Sequence, residues 1–196
     1  MDDIKSAREI AMEKVNQLGE ATEEERLQWK YFPEGEKLAA RYLKNDCDLT
    51  SELSKYEKKA IRYVIKGITD ILIKNISPPK NDSAKKNNKI AMDGLKTLKN
   101  DKIGMENAFS KIRRVFNHYT DYGEQQKKQA YEQLKAEFEA KLQQAVQQQL
   151  GTSMKIKIDV ERQPQFQEEW RRTQAQMDLQ YMKILDEYKQ ELSALD

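Results

Sequence analysis

A chain of 196 residues is one domain's worth or a little more, and with 35 % charged against 38 % hydrophobic residues it cannot bury every face of every element. One Cys47 and one His118 exclude an internal disulfide, an ordinary zinc site and a Cys–His nucleophile pair of usual spacing. The net charge of +2 hides a basic middle, because residues 77–123 carry 10 basic and 5 acidic side chains, a local +5.

In chain order, Ile4, Ala7, Ala11, Val15 and Leu18 recur at spacings of 3 and 4 and predict a helix over Asp3 to Leu18. The start carries no basic segment followed by an apolar one, so no secretory signal is read there. Thr22 with Glu25 has the capping-box pattern. A short helix through Leu27, Trp29 and Tyr31 follows, Pro33 ends it, and a second short helix carries Leu38, Ala39, Tyr42 and Leu43. Trp29, Tyr31 and Phe32 read as a hydrophobic corner between the two. Ser51 is then the expected N-cap of a helix running to about Ile76. Its β-branched content makes strand the competing reading, but Arg62, Lys66, Asp70 and Lys74 repeat every fourth residue as one polar face and decide for helix. The stretch Ala60 to Ile76 is too short and too charged to span a bilayer.

Ser77-Pro78-Pro79-Lys80-Asn81-Asp82-Ser83 reads as a mobile linker, followed by a short helix at about Ile90 to Leu98 and a turn over Asn100 to Gly104. From Met105 a long helical pattern presents Phe109, Ile112, Phe116 and Tyr119, which Gly123 either kinks or divides. Tyr131, Leu134, Phe138, Leu142 and Ala145 continue the stripe. Met154, Ile156, Ile158 and Val160 alternate with charged residues and predict the one strand, 154–161. A lone strand either pairs, most simply with its own copy in a homodimer, or remains an exposed connection, and the apolar alternation puts pairing slightly ahead. Pro164 suits the first turn of the last helix, where Phe166, Trp170, Thr173, Met177, Tyr181, Ile184, Tyr188, Leu192 and Leu195 follow an eleven-residue repeat.

The expected fold class is therefore all-α: an N-terminal helical bundle plus a long C-terminal, coiled-coil-like helical hairpin with one short β-strand at its tip. The expected organisation is an N-terminal helical part over 1–76, a linker with a short helix over 77–104, and the long hairpin over 105–196.

No reactive set converges. Glu23-Glu24-Glu25 and Glu168-Glu169 read as helix-start charges or exposed faces, no Glu-x-x-His pair exists, and there is no P-loop or GxGxxG. No catalytic residue, metal ligand or cofactor is assigned, although a magnesium site of carboxylates alone would leave no signature. Cys47, between Asp46 and Asp48, is read as an inert turn cysteine, because their charge disfavours the thiolate. His118 is read as a partly exposed helical histidine. Lys85, Lys86, Lys89, Arg113 and Arg114 interleave with aromatic residues in the manner of single-stranded nucleic-acid binders, but Phe109, Phe116 and Tyr119 also serve the packing stripe.

The runs Asp3-Ile4-Lys5-Ser6-Ala7-Arg8-Glu9-Ile10-Ala11, Trp29-Lys30-Tyr31-Phe32-Pro33-Glu34-Gly35-Glu36 and Val160-Glu161-Arg162-Gln163-Pro164-Gln165-Phe166 resemble a small group of uncharacterised bacterial proteins of similar length. The resemblance implies a bacterial, cytoplasmic origin and transfers no activity.

The expectation for function is a non-enzymatic interaction or scaffold protein that self-associates as a dimer through Met154, Ile156, Ile158, Val160, Phe166, Trp170, Met177 and Tyr181. The alternatives are a nucleic-acid-associated protein using the basic segment 80–114, and a holding chaperone capturing other proteins at the hairpin tip. No membrane partner is expected.

Overall fold

The computed structural model describes residues 21–150 and 159–195. Every regular element among them is helical, and the chain divides into two compact units, 1–71 and 72–196. None of the described helices is long and apolar enough to cross a membrane. The helix expected over Asp3 to Leu18 lies outside the described residues.

The first unit holds α1 (Glu23–Leu43), α2 (Leu49–Leu53) and most of α3 (Lys58–Lys74). Thr22 and Glu25 close the capping box in both directions, at 2.8 Å from the Thr22 N–H to the Glu25 carboxylate and 3.2 Å from the Glu25 N–H to Thr22 Oγ1. Pro33 does not end the helix as its chemistry predicts; the two short helices expected on either side are one. Pro33 leaves the Trp29 carbonyl without its helical donor, but Trp29 is 67 % exposed, so water can serve that side of the helix. Trp29 is thus no hydrophobic corner, while Tyr31 meets Tyr56 edge-on at 6.2 Å.

What holds α1 through its proline is the crossing beyond it. Gly35 is packed so tightly on α3 that a Cβ there would lie 2.1 Å from the Val64 carbonyl oxygen, and one on Gly67 would lie 2.2 Å from that of Phe32. Ser51 is not the cap expected of it. Asp48 takes that role for α2, accepting from the Ser51 N–H at 2.8 Å and the Ser51 hydroxyl at 2.9 Å, and α3 starts only at Lys58. The helix reading of the β-branched stretch holds, with Val64 and Ile68 fully buried.

In the second unit the segment 77–81 is neither a polar loop nor loosely held. Pro78 and Pro79 are buried, and the buried Asn88 amide clamps Ser77, accepting from its N–H at 2.9 Å and donating to its carbonyl at 2.8 Å. Asn81 caps α4 (Asp82–Leu98), which therefore starts eight residues before the short helix expected at Ile90. Asp101 caps α5 (Lys102–His118) through the Gly104 N–H at 2.9 Å. At Gly123 the chain neither stops nor simply kinks. Tyr119–Gly123 forms one π-helical turn that runs straight into α6 (Glu124–Leu150).

The last helix, α7 (Pro164–Ala194), returns antiparallel along both. Phe166 meets Tyr131 and Phe138 edge-on, each at 5.5 Å, near its start. Lys111 of α5 pairs with Glu191 at 2.7 Å near its end. Among the described residues there is no strand; Met154, Ile156 and Ile158 lie outside them, and the expected strand's end, Val160–Arg162, is a 3-10 turn. Val160 is 1 % exposed and the Lys135–Glu161 pair at 2.6 Å ties the turn to α6, so this piece packs within its own chain. In the second half of α7 the eleven-residue repeat holds at Tyr181, Tyr188, Leu192 and Leu195 and departs at Ile184. Ile184 is 42 % exposed and Leu185 fully buried, and the buried or half-buried residues Asp178, Tyr181, Leu185, Tyr188, Leu192 and Leu195 alternate steps of 3 and 4. That is heptad spacing, the one that keeps a seam facing neighbouring antiparallel helices.

Candidate functional site

Helix α5 and the π-turn that continues it show two chemically different faces, separated by helical periodicity. Ala108, Ile112 and Tyr119 face the interior, while the buried Phe109 and Arg113, Phe116 and Thr120 line a groove shared with α4. The basic and aromatic residues that stand together in the sequence are divided between these faces: Tyr119 turns inward and Lys111 pairs with Glu191.

The groove encloses about 440 Å³. Phe109 and Met92 are buried beneath it, and Phe116 stays half-buried, its ring partly open. Lys85, Lys89, Lys96 and Arg113 stand around this apolar floor, against one carboxylate, Asp93. Lys96 and Arg113 both pair with Glu106, Lys96 at 2.8 Å, and together they hold its carboxyl below the usual glutamate range. Lys85 pairs with Asp82 at 3.5 Å. Of the five residues expected at a nucleic-acid contact, the groove gathers Lys85, Lys89 and Arg113; Lys86 and Arg114 are exposed and do not line it.

A second cluster sits at the π-turn. Asp178, 8 % exposed, accepts from the Tyr119 hydroxyl at 3.0 Å, from Lys127 at 3.0 Å on the same oxygen and from Lys80 at 2.6 Å on the other. Burial by itself would raise this carboxyl, but the hydrogen bonds from Lys80, Lys127 and Tyr119 hold it below the usual aspartate range. Burial likewise opposes the charge on Lys127, yet its bonds to Tyr119, at 2.5 Å, and Asp178 keep its pKa raised. The Tyr119 phenol is raised chiefly by burial. Tyr181 stacks edge-on against Tyr119 at 4.9 Å, its hydroxyl 3.0 Å from His118 Nδ1. With both carboxylate oxygens engaged, Asp178 is the hub that ties Lys80, Tyr119 and Lys127 together. Sequence reading missed it, although the signal existed: a carboxylate three residues before Tyr181 and seven before Leu185, on the buried seam.

The residues expected at a self-association surface are largely spent inside the chain. Val160, Phe166 and Tyr181 are 1 %, 2 % and 8 % exposed, and Trp170 and Met177 are half-buried, with Trp170 against Tyr131 at 5.1 Å. Besides Ile184, α7 leaves open an apolar row at i, i+4 and i+7: Ala175, Leu179 and Met182, the last two 51 % and 41 % exposed.

Cys47 is half-buried, its thiol 3.8 Å from the Leu38 carbonyl oxygen. Burial first, then Glu52, Asp46 and Asp48 against the opposing Arg41, pushes that thiol up, which agrees with an unreactive turn cysteine. No group of three or more His, Cys, Asp or Glu suited to a metal ion occurs among the described residues.

A protein-family model matches residues 50–194. No curated protein and no solved structure matches the chain.

Proposed function

The chain belongs to DUF6657, a family of unknown function, and we propose that it is a non-enzymatic interaction protein that self-associates as a dimer through its long hairpin. The observation that carries this reading is the open row Ala175, Leu179 and Met182 on α7, a helix whose inward seam of Tyr181, Leu185 and Leu192 is already filled by its own chain. Tyr131, Leu134, Phe138 and Leu142 of α6 reach only half burial, because two helices lying side by side cover one flank of each other. A second hairpin laid against the first would complete a four-helix arrangement and cover both rows. We place it in a reducing compartment such as the cytoplasm, with which the single unpaired Cys47 agrees.

The test is absolute mass by light scattering on a sizing column, for the wild type and for a Leu179→Lys, Met182→Lys double variant. Both side chains are exposed, so the variant should keep its helical content. A wild-type dimer and a variant monomer are the expected result, and a wild type that stays monomeric at high concentration overturns the reading.

A further inference from the structure

We propose that the groove between α4 and α5 binds a single-stranded nucleic acid, seating one base on the Phe116 ring with the flanking phosphates on Lys85, Lys89 and Arg113. The inference is independent of self-association. Three features converge on it. The volume, about 440 Å³, falls within the range of small-ligand sites and accommodates one nucleotide. The floor offers the half-buried Phe116 beside the buried Phe109 and Met92, an aromatic, apolar lining of the kind on which a base stacks. The rim is cationic on both sides, from α4 through Lys85, Lys89 and Lys96 and from α5 through Arg113.

Charge sets the sign of the ligand. Four cations stand around the groove against Asp93 in its lining and the two carboxylates that pair with them, Asp82 with Lys85 and Glu106 with Lys96 and Arg113, which leaves a net positive rim in which Lys89 makes no ion pair with a described residue. Arg113 and Lys96 share the single Glu106, and Arg113 is exposed, so it can turn to a phosphate without leaving a buried charge behind. An anionic acyl chain would match the floor and the rim but would desolvate Asp93 and Asn117, which also line the groove. A base has edge donors and acceptors to offer both. A duplex fits poorly, because its bases are already stacked on one another and present no free face to Phe116.

The experiment is fluorescence anisotropy of a labelled 12-nucleotide single strand with the full-length protein at 50 and 200 mM salt, with the same sequence as a duplex and with AMP as competitors. Three phosphate contacts predict about a twenty-fold weakening between the two salt concentrations. A Lys85→Gln, Lys89→Gln variant should reduce that to about threefold. Phe116→Leu, which keeps an apolar side chain and loses the ring, should weaken binding about ten-fold, and Phe116→Trp should restore it. Circular dichroism and mass, unchanged in these variants, separate loss of the site from loss of the fold or of the dimer. No binding at 50 mM salt overturns the proposal, as does a Phe116→Leu variant that binds like the wild type. AMP competing as well as the strand does so too, since it would assign the groove to a free nucleotide.

Discussion

Asp178 shows how one buried carboxylate can be made tolerable. Its desolvation is offset by two ammonium groups and a phenol, which arrive from the segment after α3, from α6 and from the π-turn. Removing the charge leaves Lys127, whose side chain is only 16 % exposed, facing a neutral amide. Asp178→Asn should therefore cost about 3 kcal/mol at neutral pH, the order expected for breaking a buried pair on one side. The pH dependence follows from the lowered carboxyl pKa. A carboxylate whose folded pKa lies below its unfolded value of about 3.9 contributes stability above that value and loses it as pH falls through the folded one. Thermal melts should thus show the gap between wild type and Asp178→Asn constant from pH 7 down to about 5 and closing below about 4. A gap independent of pH would mean that the side chain matters for its shape alone.

Among the elements, two contrasts carry the physics. The first is between glycines. At Gly35 the obstacle to a Cβ is the Val64 backbone carbonyl, which cannot rotate away, whereas at Gly104 it is the flexible Asp101 carboxylate. Gly35→Ala should force α1 and α3 apart and destabilise by about 3 kcal/mol in a chemical melt, with Gly104→Ala well below that. The second contrast is between neighbours on α7. The eleven-residue pattern assigns the seam to Ile184, and the structure assigns it to Leu185. Leu185→Ala should cost about 3 kcal/mol and Ile184→Ala less than about 1, measured by urea unfolding; the reverse order would return the helix to the eleven-residue register. Much of each element was nonetheless readable. The Thr22–Glu25 box, the Pro164 start and the helical nature of the β-branched stretch each follow from local chemistry, and local chemistry is what a short window of sequence contains. Pro33 misled for the complementary reason, because the crossing at Gly35 joins it to Val64 far along the chain. Ser51 misled although the signal was local, since Asp48, three residues earlier, takes the cap and the helix starts there.

At the scale of the whole molecule, the sequence expectation and the structure divide over where apolar surface is used. Self-association through Phe166, Tyr181 and Val160 presumed that a long stripe needs a second chain, but the chain's own α6 and the π-turn reach them first. Among what α7 leaves open is the Ala175, Leu179 and Met182 row, and mass action then makes a second prediction. If two copies meet there, the melting temperature of the wild type rises with protein concentration and that of the Leu179→Lys, Met182→Lys variant does not. Residues that are adjacent in the sequence can also end on different faces. Arg113 lines the groove and Arg114 does not, because successive helical residues point about 100° apart.

Composition and periodicity by themselves determined that this is a helical chain with one buried stripe per long helix and a basic middle, since both are sums over local preferences. The tertiary structure alone decided that Asn88 would clamp the proline segment, that Asp178 would become a hub, and that Lys85, Lys89 and Arg113 would share a groove with Phe116. The last two join residues distant in the chain, where only the packing of one helix on another sets which side chains meet, and the first folds a segment back on the helix that follows it.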